Sequence, residues 1–498
     1  MTLARFQDDP WKTSHPFYQD SSLAMAPAPE YASSEVILSS LYRVIGLERP
    51  ERLVPQGGRD LDREIQKQRD RRKQADNAAL DADSFHMMLH SALESPKLPN
   101  QSSKRFLQVT PLVPQTAVFS GSARLAGSPW TPGALVRRMV WLGAESTDQA
   151  KRVWSALFKA LSVDAGDDIF ARFLQKEISA WVPDPQWKER ESDERSILDP
   201  DDRHALSYPA RQFVADLDAI LDAKASVTRR QWTSLLEAII RLAAVSHILW
   251  ICEVHARTWA CIREALAGAG PTTIEQARTA LFPAGATYLS YGDRALPIIR
   301  DRASSFLRAR LGINTVLWGL DAGAVGLEGG LASSKSLLDL CETIRASRGM
   351  LSEVPGIFDK LHEQESRVLL CSKGIGSNIM EFARHALGQR QTANAILRGY
   401  DQGYSLRKKG ANKSSPWVVG LGPVAVLALV HCSLAKTTGT RSVRRLAQHL
   451  AAYGIMVDHR DIAQNDLGHQ LRMLGLVLDS PDAESGMLLV RPFVEKTA

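Results

Sequence analysis

Residues 227–267 run for about 40 positions without a glycine or a proline, and no other stretch limits the fold as strongly. A helix of that length spans about 60 Å. Its middle carries Leu235, Leu236, Ile239, Ile240, Leu242, Ile248, Leu249 and Ile251, apolar on nearly every side. A helix without a polar face must be enclosed by other elements. The sequence therefore predicts a mainly α fold, a large helical body wrapped around one central rod.

The rest of residues 131–400 supplies the wrapping. Apolar residues recur at three and four over 134–142, 147–161, 169–181, 210–225, 273–281, 297–310, 334–347, 352–364 and 377–391. In the second of these, Ser146 is the expected N-cap, and Val153, Leu157 and Leu161 share one face. No repeat of fixed period is present, so a solenoid is not expected. Residues 1–130 read as an N-terminal arm with short helices, partly extended or disordered. Its first 35 residues are rich in Pro, Ser and Ala, with helices expected at 36–44 and 83–94, the latter capped by Asp83 or Ser84. The stretch 59–73 is a polar helix or tether, and β-like runs occur at 106–109 and 116–119.

Two observations bear on compartment. Cys252, Cys261, Cys341, Cys371 and Cys432 are five cysteines without a C-x-x-C, which signals neither a zinc ribbon nor a redox pair and suits buried reduced thiols. The uncharged run 242–252 is too short for a bilayer, and 417–435 is interrupted by Gly420, Gly422 and Pro423. With Asp8, Asp9, Lys12 and His15 near the start, no leader is read there. The expected location is the cytoplasm, with no membrane partner.

Residues 401–498 form the most specific pattern. A basic turn carries Arg407, Lys408, Lys409 and Lys413. A helix is expected from 424 to about 436, with Pro423 at its first turn. A second helix follows, capped by Thr440 or Ser442, with Val443, Leu446 and Leu450 inward and Gly454 at its end. A third, capped by Asp458, would turn Ile462, Leu467, Leu471 and Leu474 inward. The apolar runs 476–478 and 487–490 then read as a β-hairpin around an acidic loop.

Three short helices and a hairpin resemble a winged helix-turn-helix domain. The resemblance implies that the third helix enters the DNA major groove and the wing touches the backbone. It assigns Arg460, Gln464, Asn465, His469 and Arg472 as base readers and Arg441, Arg444 and Arg445 as phosphate contacts, with the Arg407–Lys413 turn alongside. The side-chain types are suitable, since Arg pairs guanine and Asn or Gln pairs adenine. Asp461 and Asp466 on the helix, and Asp479, Asp482 and Glu484 in the wing, depart from the pattern by repelling phosphate. The whole chain carries a net charge of +6, of which 12 basic against 8 acidic residues place +4 in 401–498. An Arg-rich helical body with such a terminus also resembles accessory subunits of bacterial defence or mobile-element systems. That implies double-stranded DNA and other protein subunits as partners and an antiviral defence role.

Candidate chemistry elsewhere is dispersed. His86 and His90 share a helix face but lack the H-E-x-x-H glutamate. Asp199, Asp201, Asp202 and His204 form an acidic loop cluster, and Glu253 and His255 point apart on one helix, where Glu253 pairs with Arg257. Residues 368–371 read as a buried strand leading into the glycines Gly374 and Gly376, an anion cradle or a helix turn capped by Ser377. No catalytic residue, metal or cofactor is assigned. The expected function is a non-enzymatic DNA-associated adaptor. The alternatives are a metal-dependent nuclease or hydrolase built from those carboxylates and histidines, and a protein-only scaffold.

Overall fold

The computed structural model describes residues 2–11, 13–19, 37–47, 75–93, 111–119, 132–181, 187–190, 202, 209–282, 287–353, 366–388, 403–410, 412, 414–439, 441–478 and 487–493. In chain order they form α1 (Leu3–Asp8), α2 (Pro16–Gln19), α3 (Ile37–Ile45), α4 (Ala82–Leu93), α5 (Pro132–Gly143), α6 (Thr147–Leu161), α7 (Ile169–Trp181) and α8 (Pro209–Ala223). Then come α9 (Arg229–Leu266), α10 (Ile274–Leu281), β1 (Leu289–Ser290), α11 (Ala295–Ala322), α12 (Ser334–Ala346), α13 (Arg348–Glu353), α14 (Ser366–Leu369) and α15 (Gly374–Ala386). The last elements are β2 (Leu406–Lys408), β3 (Trp417–Val419), α16 (Pro423–Leu434), α17 (Val443–Ala452), β4 (Ile455–Met456), α18 (Asp466–Met473), β5 (Val477–Leu478) and β6 (Leu488–Leu489). The architecture is mainly α, as the periodicity predicts.

α9 is one helix of 38 residues. It starts at a capping box: Thr228 Oγ1 accepts from Gln231 N, and the Gln231 side chain accepts from Thr228 N. It packs against α3, α5, α8, α10, α11, α12, α15 and α16, which together bury its apolar circumference. Among the described helices it is long and apolar enough to cross a membrane, yet that stretch is wholly buried inside the fold. Each enclosed Leu or Ile contributes about 1.5–3 kcal/mol of burial. Among its charged groups Glu237 and Arg241 form a buried bridge of 3.0 Å.

The described part of the N-terminal segment is strapped to α11 by side chains. Arg310 donates to the carbonyls of Pro10 at 2.7 Å and Thr13 at 3.1 Å and to Ser14 Oγ at 2.9 Å. Asn314 Oδ1 accepts from His15 N at 2.7 Å. Tyr18, fully buried, donates its hydroxyl proton to His255 Nε2 at 3.0 Å, and His255 Nδ1–H donates to the Ile251 carbonyl at 2.9 Å.

Burial holds the His255 imidazole down to about 4, with Arg138 and Arg310 acting in the same direction against the Ile251 hydrogen bond. His247, stacked on Trp250 in the same helix, is shifted downward by burial as well. The unfolded chain takes up these protons near pH 6.5, whereas the fold resists them. Stability is therefore complete above pH 6.5 and falls as the pH drops toward 4, by on the order of 3 kcal/mol for His255. Urea midpoints measured from pH 7 to pH 4.5 should fall, and His255→Gln should flatten that slope. An unchanged slope in the variant would contradict this assignment.

Several elements differ from the sequence-based expectation. α11 spans 28 residues and does not stop at Arg310. Gly312 sits under the Trp259 ring, where a Cβ would come within 2.4 Å, so its glycine serves close packing and not termination. Residues 116–119 belong to a 3-10 turn, not a β-like run, and 366–369 are helical, not a strand. The cap of α4 is Asp81, whose Oδ1 accepts from Ser84 N at 2.8 Å. The uncharged stretch 417–435 divides into β3 and α16. The expected tether 59–73 and the run 106–109 lie outside the described residues.

The strands form three pairs. β2 and β3 are antiparallel with Leu406 opposite Val419, and β5 and β6 are antiparallel with Val477 opposite Leu489. β1 and β4 are parallel with Leu289 opposite Ile455. One hydrophobic core runs from Phe17 and Ile37 through α9 to Leu489, and a second, smaller one joins Phe85 and Leu89 to Leu174, Ile178 and Trp181.

Candidate nucleic-acid interface

Residues 403–493 are fastened to the helical body on one side. α16 packs on α8 and α9, and β4 pairs with β1. Between α8 and α17 lies a buried polar cluster. Asp216 Oδ2 accepts from His449 Nε2 at 2.8 Å and from the Tyr453 hydroxyl at 2.7 Å, and Oδ1 accepts from Gln212 Nε2 at 2.7 Å. Burial and the Asp216 carboxylate both push the Tyr453 phenol well above its usual range, so it stays a proton donor. The sequence reading missed this cluster. Its signal is positional: Asp216 lies on the same helical stripe as Phe213, Leu217 and Ile220, which are all buried.

α18 packs on α16. It begins at Asp466 and not after Asp458, because Asn465 caps it: its Oδ1 accepts from Leu467 N at 2.9 Å and Gly468 N at 3.2 Å. Residues ahead of the cap, Arg460 and Gln464 among them, form turns. Gly468 lets the helix cross its own approach, since a Cβ there would meet the Ile462 carbonyl at 1.9 Å. Leu467 and Leu471 are buried, while His469, Arg472 and Met473 are exposed. The hairpin β5–β6 extends sideways to Ser442, which bridges Leu488.

The expected contact residues divide by what each touches. Arg407 pairs with Asp466 at 3.2 Å and packs over Gly420, which ties β2 to the start of α18. Arg472 Nη1 donates to the Ala463 carbonyl at 2.9 Å, closing the turn ahead of the helix. Arg441, Arg444, Arg460, Gln464 and His469 are exposed, as is Lys409, with Arg445 and Lys408 half-buried. Lys413 and the acidic loop with Asp479, Asp482 and Glu484 lie outside the described residues.

The dispersed carboxylates and histidines take separate places. Asp202 accepts from Ser334 N and Oγ, both at 2.6 Å, and pairs with Arg278 at 3.2 Å, so it caps α12. Glu253 is bound by Arg257 at 2.8 Å and by Arg302. His255 serves the Tyr18 contact. His86 lies on α4; the side chain of His90 and residues Asp199 and His204 lie outside the described set. Among the described residues no group of three His, Cys, Asp or Glu side chains is placed to hold a metal ion. α15 starts at Gly374 with Lys373 in the cap position, so Ser377 is within the first turn and is not the N-cap.

The chain matches no protein-family model, no curated protein and no solved structure.

Proposed function

We propose that this chain is a non-enzymatic, DNA-associated subunit of a multi-protein bacterial system, acting in the cytoplasm, with residues 423–493 as a winged helix-turn-helix. The observation that carries the reading is the order helix, helix, helix, hairpin in α16, α17, α18 and β5–β6, completed by the Ser442–Leu488 bridge. In such modules the third helix meets the duplex and the hairpin flanks it. The helical body packs on α16, α17 and β4, while His469, Arg472 and Met473 of α18 are exposed among the described residues. The body itself is the docking mass for other subunits, as in defence or mobile-element assemblies.

A salt titration tests the reading. With Arg441, Arg444, Arg460 and Lys409 each neutralising a phosphate, affinity for duplex should fall roughly 100-fold between about 50 and 200 mM salt. Absence of duplex binding at low salt, or a flat response, would overturn it. A second reading, docking of a protein alone, is favoured by Met473, 74% exposed beside Arg472, and by Leu478, 63% exposed at the hairpin. It predicts partner capture that neither duplex nor nuclease treatment alters.

A further inference from the structure

The inference rests on the DNA reading above and names the duplex. We infer that the α18 face engages double-stranded DNA through its phosphate backbone and groove shape, without preference for base sequence.

The argument is an inventory of what can reach a base edge. Direct readout relies on side chains that offer two hydrogen bonds to one base, chiefly Arg to guanine and Asn or Gln to adenine. α18 holds eight residues. Its cap, Asn465, has its carbonyl oxygen engaged by two backbone N–H groups, so the paired donor and acceptor that adenine requires are no longer both available. Arg472 is folded back on the Ala463 carbonyl, with Nη2 3.8 Å from Met487 Sδ. Asp466 holds Arg407. Gln470 is half-buried, and Met473 is apolar. His469 is the exposed polar side chain of the helix with no hydrogen bond among the described residues, and an imidazole offers no bidentate pair. Gln464 and Arg460 stand in the turns ahead of the helix.

The cations are arranged differently. At the N-terminal end of α18 the Arg407–Asp466 pair brings β2 alongside, and the exposed Lys409 follows directly after that strand. At the other end β6 lies beside Arg472 through Met487, and Leu489 N donates to the Arg441 carbonyl, which sets Arg441 at the hairpin. Arg444 is the second residue of α17. Neither Lys409, Arg441, Arg444 nor Arg460 forms an ion pair among the described residues. Basic groups thus flank both ends of a helix about 12 Å long whose middle has little with which to read. Such contacts fix orientation on a duplex but carry no sequence information.

The test uses the full chain and fluorescently labelled duplexes of about 20 bp, one AT-rich, one GC-rich and one mixed, at low salt. Dissociation constants should agree within about threefold, where one good bidentate contact would separate them by about tenfold or more. Arg441→Glu with Arg444→Glu should weaken all three duplexes equally, by more than about tenfold, and lower the salt slope by about 2. His469→Ala should shift all three duplexes alike. Circular dichroism of each variant confirms that the fold is retained. A preference of about tenfold or more for one duplex, or a selective effect of His469→Ala, would overturn the inference while leaving the DNA reading intact. Absence of binding to every duplex would overturn both.

Discussion

Asp216→Ala is expected to cost about 3–5 kcal/mol, because it strips the acceptor from two buried donors at once. His449 Nε2 and the Tyr453 hydroxyl both end on Asp216 Oδ2, and both residues are buried. The loss should be concentrated where α17 meets α8: hydrogen exchange across residues 443–453 should accelerate before that of α9. Tyr453→Phe removes one bond and leaves the carboxylate its other partners, so about 1–1.5 kcal/mol is expected. The double variant separates a cluster from a set of independent bonds. Coupling of more than about 1 kcal/mol between Asp216→Ala and Tyr453→Phe is expected. Strict additivity would show that the two side chains do not act together.

Arg229→Leu should be of similar size, about 3–5 kcal/mol, for a different reason. The guanidinium is fully buried at the start of α9. Its Nε donates to the Leu112 carbonyl at 2.6 Å, and Nη1 donates to Ser162 O at 3.1 Å and to Asp167 at 3.1 and 3.2 Å. Nη2 donates to the Leu161 carbonyl. The carbonyls of residues 161 and 162 end α6, so the cation also sits at the negative end of that helix. Lys224 still pairs with Asp167 at 3.2 Å, so the variant leaves carbonyls orphaned more than it leaves a bare charge. Arg229→Lys should rescue little, because an ammonium cannot spread across four acceptors on three segments. Denaturant midpoints that agree within 1 kcal/mol of the parent would refute this account.

The two sites show what the sequence reveals and what it hides. Ser146 and Val153, Leu157 and Leu161 announce α6 because cap and stripe are local signals, and the structure follows them. α11 was cut short at Arg310 because a glycine reads as a stop, and only the Trp259 ring, more than fifty residues away, explains Gly312. At the candidate site the element order was legible, but the start of α18 was not. Asp458, Asp461 and Asn465 are all competent caps, and the choice among them rests on tertiary contacts, Gly468 against Ile462 and Arg407 against Asp466. The same contacts turned expected readers into struts. Asp216 was hidden by its company, since Asp218 and Asp222 follow it on one helix. Only its place on the apolar stripe distinguishes it.

The enclosure of α9 has a kinetic side. Its cover comes from both directions along the sequence: Tyr18 reaches His255 from one side, and α16 lies against it from residues more than 150 positions further on. A ribosome delivers these pieces in order, so the most apolar helix emerges long before α16 can shield it. Contacts of such sequence separation form late and slowly. In the interval the nascent chain presents an incompletely covered rod, and a truncation before residue 423 leaves the side that α16 covers exposed. Folding of this protein is thus exposed to aggregation while residues 267–422 are being made.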